Sequence, residues 1–374
     1  MNLLAYPLQS PGHLAAQPVA ESKIARSHRA RWSVSIVEAI SRRAWLAGTA
    51  AILGCWPRSV STSVTEVQTV TGPIDAAGLG VTLMHEHLLV DFIGAAGVSR
   101  SRYNADDVFS VALPHLRRVR DLGCETLVDC TPAYLGRDPE LMRRLSVASG
   151  VRILTNTGLY GAANDKHLPG FSFTESAEEL AARWIEEATT GIERTRIKPA
   201  FMKIGVDGAP LSEVDAKLAR AAALTTRRTG LPIASHTGSG AAALAQLDIL
   251  KATGVPLSSF IWVHAQSEKD DELRIRAATR GAWIELDGVA PGTIQRHVDL
   301  VVSMKQAGLL NHVLVSHDAG WYHVGESGGG TFRTFDTLFT EFIPALRRAG
   351  ISAAEIRVLI AENPRRALTP AAGS

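Results

Sequence analysis

The chain is poor in cysteine, with 3 in 374 residues, too few for a disulfide framework. Neither sign of charge dominates: 39 Lys and Arg stand against 37 Asp and Glu, a formal net charge of +2. Binding nucleic acid takes a concentrated basic face, and none is present beyond the N-terminal arginines. Apolar runs stay short of the ~18–20 residues that a membrane-spanning helix needs. Sequence self-similarity at a fixed period and long low-complexity linkers are also missing. With 46% hydrophobic and 20% charged residues, disorder is excluded. A globular, enzyme-sized body with ample core remains.

The N-terminal stretch differs from that body. Ser41-Arg42-Arg43-Ala44-Trp45-Leu46 is a twin-arginine pair leading into the short apolar run 44–54. A basic segment followed by such a run reads as an export signal peptide rather than a membrane span. Ile52-Leu53-Gly54-Cys55 resembles a lipobox, which makes Cys55 a candidate lipid-attachment site. The competing reading is an amphipathic N-terminal helix with incidental arginines. Residues 1–66 are therefore assigned to an extension with signal and linker, and 67–374 to one catalytic-sized domain. Export by the twin-arginine route would place the protein in the periplasm or lipid-anchored at the cell envelope.

Within the body, eight short apolar runs alternate with helical patterns: 81–90, 125–131, 152–157, 200–206, 231–236, 260–264, 282–287 and 312–317. Asp138-Pro139 reads as a cap with proline at the first helical position, and Gly150 as that helix's stop. Ser176 with Glu179, Ser267 with Asp270, and Ser352 with Glu355 have capping-box spacing. Continuously apolar strands separated by helices indicate a parallel sheet covered on both faces. Eight such units, with no Gly-rich phosphate turn after the first, favour an α/β fold of the (β/α)8 TIM-barrel type over an open doubly wound sheet. Residues 319–331, with Gly328-Gly329-Gly330, read as a flexible loop after the eighth strand, a candidate lid.

A TIM barrel carries its active site at the C-terminal strand ends. Polar residues accumulate there. His85 and His87 share one face of the first strand, with Glu86 opposite. Lys203 interrupts an apolar fourth strand, and His236, His264 and His317-Asp318 end the fifth, sixth and eighth. Imidazole and carboxylate suit a zinc-like divalent ion, with cobalt, manganese or iron also accommodated. Four of these imidazoles and one carboxylate, taken as ligands, exceed the three protein ligands of one open catalytic site. They suit two ions joined by an anionic bridge, which Lys203 could supply once carboxylated by carbon dioxide. Left unmodified, Lys203 suits a Schiff-base lyase instead. A non-catalytic exported binding protein is the third reading. Cys124 and Cys130 are unpaired by expectation, since six extended residues span about 20 Å against a limit near 7 Å.

Gly80-Val81-Thr82-Leu83-Met84-His85-Glu86-His87-Leu88 resembles the opening motif of the phosphotriesterase family in the amidohydrolase superfamily. The resemblance continues through Thr157-Gly158-Leu159-Tyr160, Lys203, Ser235-His236-Thr237, Val263-His264, Val315-Ser316-His317-Asp318 and Glu362-Asn363-Pro364. It implies a binuclear centre: His85, His87 and Asp318 on the more buried ion, His236 and His264 on the more exposed one, and a carboxylated Lys203 with a hydroxide between them. Asp318 would then move the proton toward the leaving group, and a homodimer is the family expectation. Where phosphotriesterases proper carry Trp, His and an acid, this chain has Tyr160, Gly288 and Ser267. Its Ser-His-Asp and Tyr160 are nearer the lactonase branch. The expected substrate is a small-molecule lactone or carboxylic ester, with phosphotriester cleavage as a side activity. Tyr160 and Trp321 are the expected substrate contacts, and His317 is expected to hold Asp318.

Overall fold

The computed structural model describes residues 65–370. The twin-arginine pair and Cys55 lie outside the described residues. A hairpin, Glu66–Thr69 with Gly72–Asp75, precedes the barrel. The barrel strands are β1 (Thr82–Val90), β2 (Thr126–Asp129), β3 (Arg152–Leu154 and Asn156–Thr157), β4 (Phe201–Val206), β5 (Ile233–Thr237), β6 (Phe260–Val263), β7 (Trp283–Leu286) and β8 (Val313–Val315 and Ala319–His323). All adjacent pairs run parallel.

The ladder has two parts. One runs from the first half of β8 through β7, β6, β5 and β4 to the second half of β3; the other joins the second half of β8 to β1, β2 and the first half of β3. Because β3 and β8 each belong to both parts, the ring closes. Its crossover helices include α1 (Ala105–Asp121), α2 (Pro139–Ser149), α3 (Ala177–Thr190), α4 (Glu213–Thr229), α5 (Gly240–Ala252), α6 (Asp271–Thr279) and α7 (Ile294–Gln306). Their buried faces pack on the outside of the strands and build the larger core. A smaller core fills the barrel interior, from Met84, Val128, Leu154, Phe201, Ala234, Ile261, Trp283 and Leu314, and Val67, Leu79 and Leu368 join it.

Local chemistry accounts for most helix ends. Asp138 accepts from the Leu141 amide ahead of Pro139, and Gly150 closes α2 in the left-handed region. The capping boxes at Ser176/Glu179 and Ser352/Glu355 both form. Ser267 does not cap: it sits in a one-turn helix, Ala265–Ser267, and Asp270 caps α6 instead. The expected loop 319–331 also needs correction, because Ala319–His323 pairs with β1. The glycine segment comes only after that strand. No helix among the described residues is long and apolar enough to cross a membrane.

Candidate metal centre

Strand alternation lifts the polar residues above the apolar interior. Phe201 lies in the interior core and Lys203 two residues higher; Ala234 is followed in the same way by His236, and Trp283 by Glu285 and Asp287. Strict alternation on β1 would send His85 and His87 away from the side that Met84 takes. A register shift between Leu83 and Glu86 changes the phase there, as bulges beside active sites do.

The hydrogen-bond partners fix the imidazole tautomers. His87 Nδ1 lies 2.8 Å from Thr131 Oγ1, whose hydroxyl is committed to the Leu89 carbonyl. His85 Nδ1 lies 3.2 Å from Asp287 Oδ2 and 3.4 Å from Glu285 Oε2. His264 Nδ1 lies 2.7 Å from Asp287 Oδ1. Each Nδ1 therefore carries the proton, and each Nε2 keeps a bare lone pair.

His85 Nε2 and His87 Nε2 then face each other at 3.3 Å. Asp318 Oδ1 stands 3.1 Å from the second and 3.8 Å from the first, and it is buried with no hydrogen-bond donor. Three acceptors converge with no proton between them. Ligand atoms about 2.0–2.1 Å from a zinc-like ion, in tetrahedral directions, would lie ~3.3 Å apart. The trio fits such an ion. His85, His264 and Asp287 also cluster, but that group is already satisfied. Asp287 accepts from the His264 imidazole, the His264 amide and the Gln266 amide group, and stands 3.2 Å from His85 Nδ1. It is a strut behind the ligands.

The second set is close by. The His236 and His264 rings are 4.4 Å apart between centroids, and those of His85 and His264 5.1 Å. The Tyr160 hydroxyl reaches His236 Nδ1 at 3.1 Å. Lys203 is 2% exposed, its amine 5.7 Å from the centre of the Tyr160 ring, and no carboxylate among the described residues forms an ion pair with it. A buried ammonium without a counter-charge is costly.

Burial pushes the His87 imidazole down to about 4, although Asp318 opposes the shift. Burial, with the charges of His264 and Lys203, takes His236 well below its ordinary value. Burial would raise the Asp318 carboxyl, but the neighbouring imidazoles of His87, His85 and His264 hold it well below the usual carboxylate range. Neutral imidazoles are thus favoured at these two positions beside an ionised carboxylate; at His85 burial is outweighed by the charge of Cys130 and by Asp287, which raise it well above its ordinary value. Burial also raises the Tyr160 hydroxyl, which stays protonated.

Three residues of the rim have left-handed backbones: His264 (φ 63°), Asp318 (φ 54°) and Trp321 (φ 72°). Such strain concentrates at functional sites. Gly320 has positive φ for a plainer reason, since a Cβ there would collide with the His87 carbonyl oxygen. Trp321 packs edge-on to His87 at 5.6 Å and against Phe92 at 5.5 Å.

The structure brings His85, His87, Lys203, His236, His264, Asp318, Tyr160 and Trp321 to one rim. His317 turns away: its Nδ1 donates to Glu86 Oε1 at 2.6 Å, and its Nε2 accepts from the Leu338 amide. It steadies the Asp318 segment through Glu86. Asp287, Glu86, Thr131 and Gln266 escaped sequence reading. For Asp287 a signal existed, since a carboxylate ended the seventh strand. Cys124 and Cys130 are free and buried.

Comparison with known proteins agrees with this geometry. Residues 65–368 match the model of the phosphotriesterase family. The phosphotriesterase homology protein of Escherichia coli is 29% identical over 290 residues, 76% of this chain and 96% of that protein. An aryldialkylphosphatase of Saccharolobus solfataricus is 26% identical over 308 residues, 78% of this chain and 96% of that one. An N-acetyltaurine hydrolase of Dictyostelium discoideum is 24% identical over 368 residues, covering 81% and 98%. With the match spanning nearly every described residue, the chain belongs to the phosphotriesterase family.

Proposed function

We propose that this protein is a binuclear-metal hydrolase that opens a lactone or cleaves a carboxylic ester, with phosphotriester cleavage as a side activity. Enzymes of this family are hydrolases with two-metal centres. The observation that carries the reading is the donor-free convergence of His85 Nε2, His87 Nε2 and Asp318 Oδ1. These three would hold the more buried ion, His236 and His264 the more exposed one, and a carboxylated Lys203 would join the two sites. Bound there, two cations of the zinc type would lower the pKa of a shared water and polarise the substrate carbonyl.

The chain's own residues then have distinct tasks. Asp318 stays ionised, so its carboxylate can accept a proton and release it toward the leaving group. Tyr160 keeps its proton, and its hydroxyl is a donor beside His236, suited to the ring oxygen of a lactone or the alkoxy oxygen of an ester. Trp321 and Phe92, packed on each other beside His87, offer an apolar wall. Asp287 holds His85 and His264 in their ligating tautomers.

Metal analysis of purified protein, followed by a panel of lactones, carboxylic esters, aryl triesters and N-acyl amides, tests the reading. About two ions per chain with lactone or ester turnover supports it. Protein free of metal that forms a borohydride-trapped adduct through Lys203 would replace it with the lyase. Turnover of the amides alone would move the assignment to amide hydrolysis, the activity named for the Dictyostelium relative. We also propose twin-arginine export, with Cys55 as a lipid anchor, and a homodimer; fractionation with Arg42→Lys and Cys55→Ala variants, and sizing in solution, check these.

A further inference from the structure

Arg333 occupies a special place on the rim. Its backbone pairs with Gly320 in both directions, at 2.8 and 3.0 Å, and its Nη2 donates to the Asp318 carbonyl. The guanidinium carbon sits 4.4 Å above the centre of the Trp321 ring, and that ring packs on the ligand candidate His87. Other arginines nearby are neutralised: Arg102 pairs with Asp91 at 2.6 Å, Arg100 with Asp138 and Glu193, and Arg118 with Asp336. Arg333 is exposed and has no carboxylate within ion-pair distance among the described residues. Its platform also lacks a partner, because the Trp321 indole N–H is buried with no acceptor. A cation with no carboxylate partner and a buried N–H with no acceptor among the described residues thus lie together beside the candidate metal centre. For the buried Trp321 N–H the unmade hydrogen bond is costly.

We propose that Arg333 and the Trp321 N–H form an anchor for an oxyanion group, a carboxylate or sulfonate, carried by the substrate itself. The inference rests on the hydrolase reading above and narrows its substrate class: the site selects anionic esters or lactones over neutral ones. Guanidinium donors in a fixed plane suit such groups. Arg333 is then a specificity-determining residue. Because it also holds the Asp318 carbonyl, its test must separate recognition from disturbance of that turn.

The experiment uses the metal-loaded protein and three probes: a neutral γ-lactone, the same ring bearing a carboxylate, and the same ring bearing a sulfonate. In the wild type, kcat/KM for the anionic rings exceeds that for the neutral one. In Arg333→Gln the anionic-to-neutral ratio falls at least about tenfold, mostly through KM, and Arg333→Lys restores part of it. Trp321→Phe, which keeps the platform and removes the N–H, gives a smaller fall. A drop confined to one anionic ring tells carboxylate from sulfonate. An unchanged ratio overturns the anchor, as does an equal loss on all three rings with loss of metal, which marks Arg333 as a mere support for Asp318. If the wild type hydrolyses none of the rings, the hydrolase reading fails by itself. Titration of tryptophan fluorescence with the carboxylate ring still decides the anchor: binding at least tenfold weaker in Arg333→Gln supports it, and equal binding overturns it.

Discussion

The two ends of the barrel are built from the same eight strands and obey different rules. At the N-terminal end Met84, Phe201, Ala234, Ile261, Trp283 and Leu314 fill the interior, and Trp283, the polar exception, donates to the Ser258 carbonyl at 2.9 Å. At the C-terminal end, positions two residues further along carry Lys203, His236 and Glu285. There the backbone is strained at His264, Asp318 and Trp321, and acceptors face one another. The lower half is apolar packing. The upper half is held by the lower and, in the reading proposed above, is satisfied by bound cations. Stability and chemistry are thus assigned to different layers of one strand set.

Substitutions can break that division, and the largest effect is expected at Lys203. Lys203→Ala should lose metal and reduce kcat/KM by about three orders of magnitude or more, with partial rescue by short carboxylic acids. Full metal content and full turnover in that variant would refute the two-metal reading. At the other end, Trp283→Ala should cost about 3–5 kcal/mol of stability in denaturant melts. Its metal content per folded molecule should stay that of the wild type, and metal loss in step with stability would deny that the layers are separable. Asp287→Asn touches no metal in this reading and should still weaken metal binding about 10–100-fold, measured by competition with a chelator. Acid should have the smallest effect. Because burial lowers His87 to about 4, its neutral form persists as pH falls from 7 to 5. Titration of the His87 imidazole near pH 4, followed by NMR in metal-free protein, is the expected result; a midpoint at pH 6 or above would contradict it.

Much of this arrangement is legible in the residues. Runs such as Phe201–Val206 are apolar on both faces because both faces are covered, so all eight strands stand out, and the one lysine within them is conspicuous. Histidines at strand ends mark the rim for the same reason. What escaped depends on contacts across the chain. The phase change on β1 arises from pairing with β2, which no local pattern encodes. Ala319–His323 reads as a loop because Gly320 and the polar tip of the segment break its apolar pattern, yet β1 supplies it with a ladder. Asp287 looks like an ordinary strand-ending acid until the fold sets His85 and His264 on either side of it. The hairpin Glu66–Thr69 with Gly72–Asp75 is too short to carry a period.

The seam between β8 and β1 has a consequence for how the molecule comes into being. Where the ladder is interrupted, the buried Glu86 carboxylate accepts from Ser316 Oγ, the His317 amide, His317 Nδ1 and the Ala319 amide. These partners lie 230–233 positions further along the chain. On a ribosome, Glu86 therefore emerges long before anything that can neutralise its burial, and the first strand keeps an open edge until almost the last strand has been made. The ring is latched by one carboxylate whose partners are the last to be made.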